Sequence, residues 1–198
     1  MVSTPLRHKA PCSPDHPSAP GRPHTRARTR RHAHQALEHA RAIANLSAER
    51  DAIAFIAFLD AQKEVDKSKK IGTQGYCMGG PLVVRTAAAV PGRVGAGASF
   101  HGGGLVSDMP NSPHLLAPKI NARMYFGIAT NDDMRQPDQK DKLRAAFGAK
   151  AEVEVYAKSQ HGWCVPDMPL QNGAPIYNRP EAEIAWGKLV ALYKAALG

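Results

Sequence analysis

Hydrophobic positions change their period several times along the chain, and each change marks an element. Residues 34–62 are rich in helix formers, with Ser47 a candidate cap near a break. Within them Ile53, Ile56, Ala57 and Leu59, joined by Phe55 and Phe58, predict a wide apolar stripe for packing on a sheet. "KIGTQGY" predicts a short strand, and "PLVVRTAAAV" a helix with Pro81 in its first turn. "RVGAGASF" and "ARMYFGIAT" predict two more strands, the first so poor in bulky side chains that a helix is expected to pack closely on it. "AEVEVYA" alternates Val153, Val155 and Ala157 with Glu152, Glu154 and Tyr156, the period of a half-exposed edge strand. "RPEAEIAWGKLVALYKAAL" predicts a closing helix with Pro180 near its start and Ala182, Ala185, Trp186, Leu189, Tyr193 and Leu197 on its buried face. Strands that alternate with helices in this way specify the α/β class, here a parallel sheet of about four strands with flanking helices.

Composition changes this picture at one end only. The 198 residues suffice for one domain with a real core. Of the net charge of +9, residues 1–34 hold +6, from seven arginines and lysines against Asp15, so the remaining residues carry only +3. That segment has prolines at 5, 11, 14, 17, 20 and 23 and few large apolar side chains, which predicts a disordered basic tail ahead of a domain over 35–198. The same prolines oppose the amphipathic helix of a mitochondrial transit peptide, and no apolar stretch suits a secretory signal. An arginine-rich tail can meet nucleic acid nonspecifically, but no aromatic residue interleaves it for stacking, so a specific nucleic-acid partner is not expected. No run approaches a membrane span. The three cysteines, at 12, 77 and 164, show no metal-ligand spacing and predict a reducing, cytoplasmic setting.

Candidate chemistry lies in the loops that follow the predicted strands. After the first comes Gly75-Tyr76-Cys77-Met78-Gly79, a G-x-C-x-G turn that fits either an inert thiol or a nucleophile elbow. In the second reading glycine is needed at 75 and 79 because the turn is sharp, and the thiol sits at a helix N-terminus that favours thiolate. The Met78 N–H would then face the oxygen of a bound acyl group. After the third strand comes "ATNDD", with Asp132 or Asp133 as the candidate acid; after the fourth comes "SQHGW", with His161 as the candidate base. Each residue alone fits an ordinary loop. Together they follow the order nucleophile, acid, histidine on successive strands, the order of the α/β-hydrolase sheet.

"IGTQGYCMGG", "ASFHGGGL", "FGIATNDD" and "HGWCVPD" resemble the dienelactone hydrolase family, also called carboxymethylenebutenolidases, from about residue 47 to the C-terminus. The resemblance implies Cys77 as nucleophile, Asp132, the fourth residue of "ATND", as acid, and His161 as base. It also implies acyl transfer to Cys77 from a small ester or lactone, with no metal or organic cofactor. His101, in "SFHGGG", and Trp163 are candidates to line the substrate pocket, although packing or backbone-spacing roles fit them too; Cys164 reads as a small apolar group. Family members begin with strands that have no counterpart in residues 1–34, and one of them lies beside the nucleophile strand. A family arginine four residues past the histidine corresponds to Val165. The expectation is therefore a partial hydrolase domain of reduced stability and activity, whose first strand is an open edge available for self-association. The alternative is a non-catalytic remnant of the fold that acts as an interaction module.

Overall fold

Four parallel strands form one sheet in the order β1-β2-β3-β4: Ile71–Tyr76, Val94–Phe100, Arg123–Ala129 and Ala151–Tyr156. The computed structural model describes residues 47–198, which fall in the compact unit Arg41–Gly198. The expected basic tail, the start of the first helix and the boundary between them lie outside the described residues.

Helical residues 47–61 (α1) precede β1, and α2 (Gly79–Ala89) joins β1 to β2. A 3-10 helix, Pro113–Lys119, lies between β2 and β3. Helices α3 (Thr130–Arg135) and α4 (Gln139–Phe147) lie between β3 and β4, and α5 (Arg179–Leu197) closes the chain. The sheet is covered on both faces, as parallel sheets are. On one face Ile56, Val83, Val84, Leu143 and Phe147 pack on Met124, Phe126 and Val153. On the other, Ala185 and Leu189 of α5 pack on Ala98, Phe100, Tyr125 and Tyr156. An irregularity in the β1–β2 register near Val94–Ala96 sets which β2 side chains face which layer. Gly97 then lies under Val83 of α2, where a methyl group would come within 3.0 Å, so the small residues of β2 do permit close helix packing.

Two sequence expectations need correction, and a third holds in part. In α1 only Ala52 and Ile56 are buried, while Phe55 and Phe58 are 68% and 65% exposed and Ile53 and Leu59 also face outward. α1 reaches the core along one narrow stripe, through Ile56, instead of a broad face. Trp186 is 58% exposed, since the contact stripe of α5 runs through Ala185 and Leu189, one position around the helix. β4 is the edge strand expected, with Val153 buried and Glu152 exposed, but its outward set is partly covered. Lys188 of α5 donates to both Glu152 and Glu154 at 2.6 Å, Tyr125 Oη donates to Glu154 at 2.6 Å, and Tyr156 is buried beneath the helix. A lysine reaching down from α5 makes an acidic strand face compatible with helix packing.

Candidate active site

Cys77 follows β1 at φ 53°, a left-handed conformation that a non-glycine residue adopts at a cost of about 1–3 kcal/mol. Its peptide is held from both sides. The N–H donates to Phe100 O and to His101 Nδ1, each at 3.2 Å, and the carbonyl accepts from Gly80 N–H at 3.1 Å and Gly103 N–H at 3.3 Å. The thiol is exposed at the rim, just ahead of the α2 N-terminus. Met78, the N-cap residue of α2, carries a 72% exposed side chain, so only its backbone is fixed by the turn.

The glycine requirement differs from the expected one. A Cβ on Gly75 would fall 2.2 Å from Gly79 O, because the turn folds that carbonyl back across the strand. Gly79 itself has open space where a side chain would go. The second close approach belongs to Gly80, whose Cβ would meet Ser99 Oγ at 2.4 Å and Gly102 Cα at 2.7 Å where α2 crosses β2. Gly80→Ala is therefore expected to destabilise by about 1–3 kcal/mol, as overpacked sites do. Gly79→Ala should leave the denaturation midpoint near the parent value. Urea unfolding of the two variants side by side checks the contrast, and equal midpoints would refute it.

The acid comes from α3, a short helix where the sequence predicts only a loop. Asp132 is 8% exposed, and its Oδ2 lies 2.7 Å from His161 Nδ1. Arg135 donates to the other oxygen at 3.3 Å. Asp133 is turned elsewhere and pairs with Lys140 at 2.7 Å, so of the two candidate acids it is Asp132 that meets His161. The His161 loop is tied down by two further bonds: His161 N–H donates to Asn131 Oδ1 at 2.8 Å, and Thr130 N–H donates to Ser159 O at 2.9 Å. The Asp132 hydrogen bond pushes the His161 pKa up to about 9; burial opposes it, and the neighbouring Cys77 side chain adds to the rise. His161 thus presents Nδ1 to Asp132 of α3, with Cys77 close enough to act on it.

His101 follows β2 at φ 42° and is 2% exposed. Its ring centre lies 4.6 Å from that of His161 and 5.3 Å from that of Trp163. Burial first, and the neighbouring His161 second, lower its pKa to about 4, so it is neutral at physiological pH. Trp163 is fully buried, stacked on Tyr156 at 4.7 Å between ring centres. It underlies His101 as core, not as an open pocket wall. Cys164 is half-buried, its thiol pushed up to about 12 by that burial, as suits a small apolar group. It lines a cavity of about 300 Å³ with Tyr76, Phe100, Trp186 and Leu189, on the α5 side of the sheet and apart from the His161–Asp132 pair. Among the described residues no three His, Cys, Asp or Glu side chains cluster as metal ligands would, and no helix is long and apolar enough to cross a membrane.

Asn131, Gly80 and the bond from the Cys77 amide to His101 are site features that sequence reasoning missed. For Asn131 a signal existed in its place beside the candidate acid; for the others, the contacts join residues about 20 positions apart.

Comparison with known proteins bears on the family and the fold. The model of the dienelactone hydrolase family matches residues 20–197. Protein usf of Aquifex pyrophilus is 27% identical over 152 residues, 74% of this chain and 61% of that protein. A protein of Aquifex aeolicus (strain VF5), provisionally named as a carboxymethylenebutenolidase, is 25% identical over 132 residues, 65% of this chain and 52% of its own. The solved structure named m3DLH superposes with a TM-score of 0.65 at 21% identity, over 88% of this chain and 70% of that one. The chain therefore spans between half and two thirds of the length of these two sequence relatives.

Proposed function

Because the chain belongs to the dienelactone hydrolase family, we propose that it hydrolyses small ester or lactone bonds through Cys77, His161 and Asp132. The observation that carries this reading is the His161 imidazole, held by Asp132 at 2.7 Å at the rim where the strained Cys77 elbow stands. The Asp132 carboxylate accepts the Nδ1–H, which leaves Nε2 for the thiol and stabilises an imidazolium paired with thiolate. The thiolate attacks the carbonyl carbon, forming the C–S bond as the π electrons move onto oxygen. The Met78 N–H is the proposed donor to that oxyanion. Collapse of the tetrahedral intermediate breaks the C–O bond, and His161 gives its proton to the leaving alkoxide. Neutral His161 then takes a proton from water, which attacks the thioester and releases the carboxylic acid and the Cys77 thiolate. No step needs a metal or organic cofactor.

The name of the Aquifex aeolicus relative points to a lactone, and the acyl-transfer step treats lactone and ester alike. Val165 stands where the family resemblance implies an arginine, so uncharged small esters are the favoured substrates. The test is hydrolysis of a small alkyl ester, ethyl acetate, by the full chain across pH. The leaving alkoxide takes its proton from the imidazolium, so kcat/KM is expected to fall as pH rises through about 9, the His161 value. A rate that keeps rising beyond that pH, as for hydroxide-driven hydrolysis, would overturn the assignment.

A further inference from the structure

We infer that His101 is a positioning residue of the nucleophile elbow, its Nδ1 accepting the Cys77 amide hydrogen at 3.2 Å and thereby fixing the direction of the thiol. The inference rests on the proposed role of Cys77 but is read out separately from turnover.

Two non-glycine residues with positive φ, Cys77 and His101, meet through this bond. Strained residues persist where their surroundings over-determine them, and they gather at functional sites. An Nδ1 that accepts must be unprotonated, so the ring carries its proton on Nε2. That Nε2 is buried and has no hydrogen-bonding partner among the described residues. An apolar side chain of similar size would avoid leaving a buried donor unpaired, but it would leave the Cys77 amide only the Phe100 carbonyl, which shares that hydrogen at 3.2 Å. The groups that face the ring are consistent with a neutral acceptor. His161 lies at 4.6 Å, Trp163 at 5.3 Å and Tyr76 at 5.9 Å between ring centres, with Asp132 acting from α3 at longer range. Packed against His161, the ring also limits how far that imidazole can tilt away from the thiol.

Asparagine offers a test because its Oδ1 occupies the same bonded position as Nδ1, and asparagine tolerates left-handed backbone. The experiment follows iodoacetamide alkylation of the Cys77 peptide by mass spectrometry at about pH 6.5, which separates it from Cys12 and Cys164. Thermal unfolding of each variant is recorded in parallel. His101→Leu should slow Cys77 alkylation by about tenfold. His101→Asn should recover most of the parent rate. Parent-like rates in both variants would overturn the inference. So would equal losses in two folded variants, since ring size and not the acceptor would then matter. If His101→Leu does not fold, the Asn variant alone decides, by keeping or losing the parent rate. Alkylation slowed in His101→Leu and recovered in His101→Asn, without ester turnover in the parent, sinks only the hydrolytic reading.

Discussion

Cys77→Ala is expected to lower ester turnover at least about 10⁴-fold. Removal of the sulfur deletes the atom that forms the acyl bond, and no other described thiol can replace it. Cys164 is half-buried, its pKa is raised to about 12, and it packs with Tyr76 and Phe100 on the α5 side. Cys77→Ser should be nearly as damaging at neutral pH. The Asp132 hydrogen bond favours the imidazolium, which can pair with a thiolate but cannot take a proton from a serine hydroxyl. Steady-state p-nitrophenyl acetate hydrolysis checks both variants. An alanine variant within tenfold of the parent would remove Cys77 from the mechanism.

Asp132→Asn is the second large effect, expected at about 10³-fold in kcat/KM at neutral pH. An amide can present its N–H₂ to Nδ1, which favours the tautomer with the proton on Nε2 and weakens the imidazolium. The basic limb of the pH profile should move from about 9 toward the ordinary histidine value near 6.5. Stability should change in a matching way. A histidine whose folded pKa is raised contributes stability in full below its unfolded value, and the contribution is lost as pH rises through about 9. The parent should therefore lose denaturation midpoint between about pH 6.5 and 9, and the variant should show a smaller slope there. An unshifted limb with full activity would mean that Asp132 serves only the α3 turn. Asp133→Asn, which breaks a contact with Lys140, should leave the pH profile in place.

The strands were legible in the sequence because each is a short apolar run followed by a turn, and parallel crossovers space them widely. Cys77, Asp132 and His161 were legible for the same reason: each lies just past a strand, where parallel sheets gather side chains from distant segments. What sequence could not show depends on neighbours. Phe55 and Phe58 face outward while Ile56 reaches the core, a choice that no periodicity in α1 reveals. The ion pairs of Glu152 and Glu154 depend on Lys188, about 35 positions away. Gly79 and Gly80 are alike in the sequence, and only the crossing of α2 over Ser99 and Gly102 tells them apart. His101 invited a reading as pocket lining because its loop position was visible. Its bond to the Cys77 amide spans 24 residues and two left-handed conformations, which no local pattern announces.

The most direct test of the account is mass spectrometry of the full chain quenched in acid during p-nitrophenyl acetate turnover. The account predicts a burst of p-nitrophenol, with an acetyl group on the Cys77 peptide that disappears once substrate is exhausted. Turnover with Cys77 unmodified, or with the acetyl group found only on another residue, would contradict it.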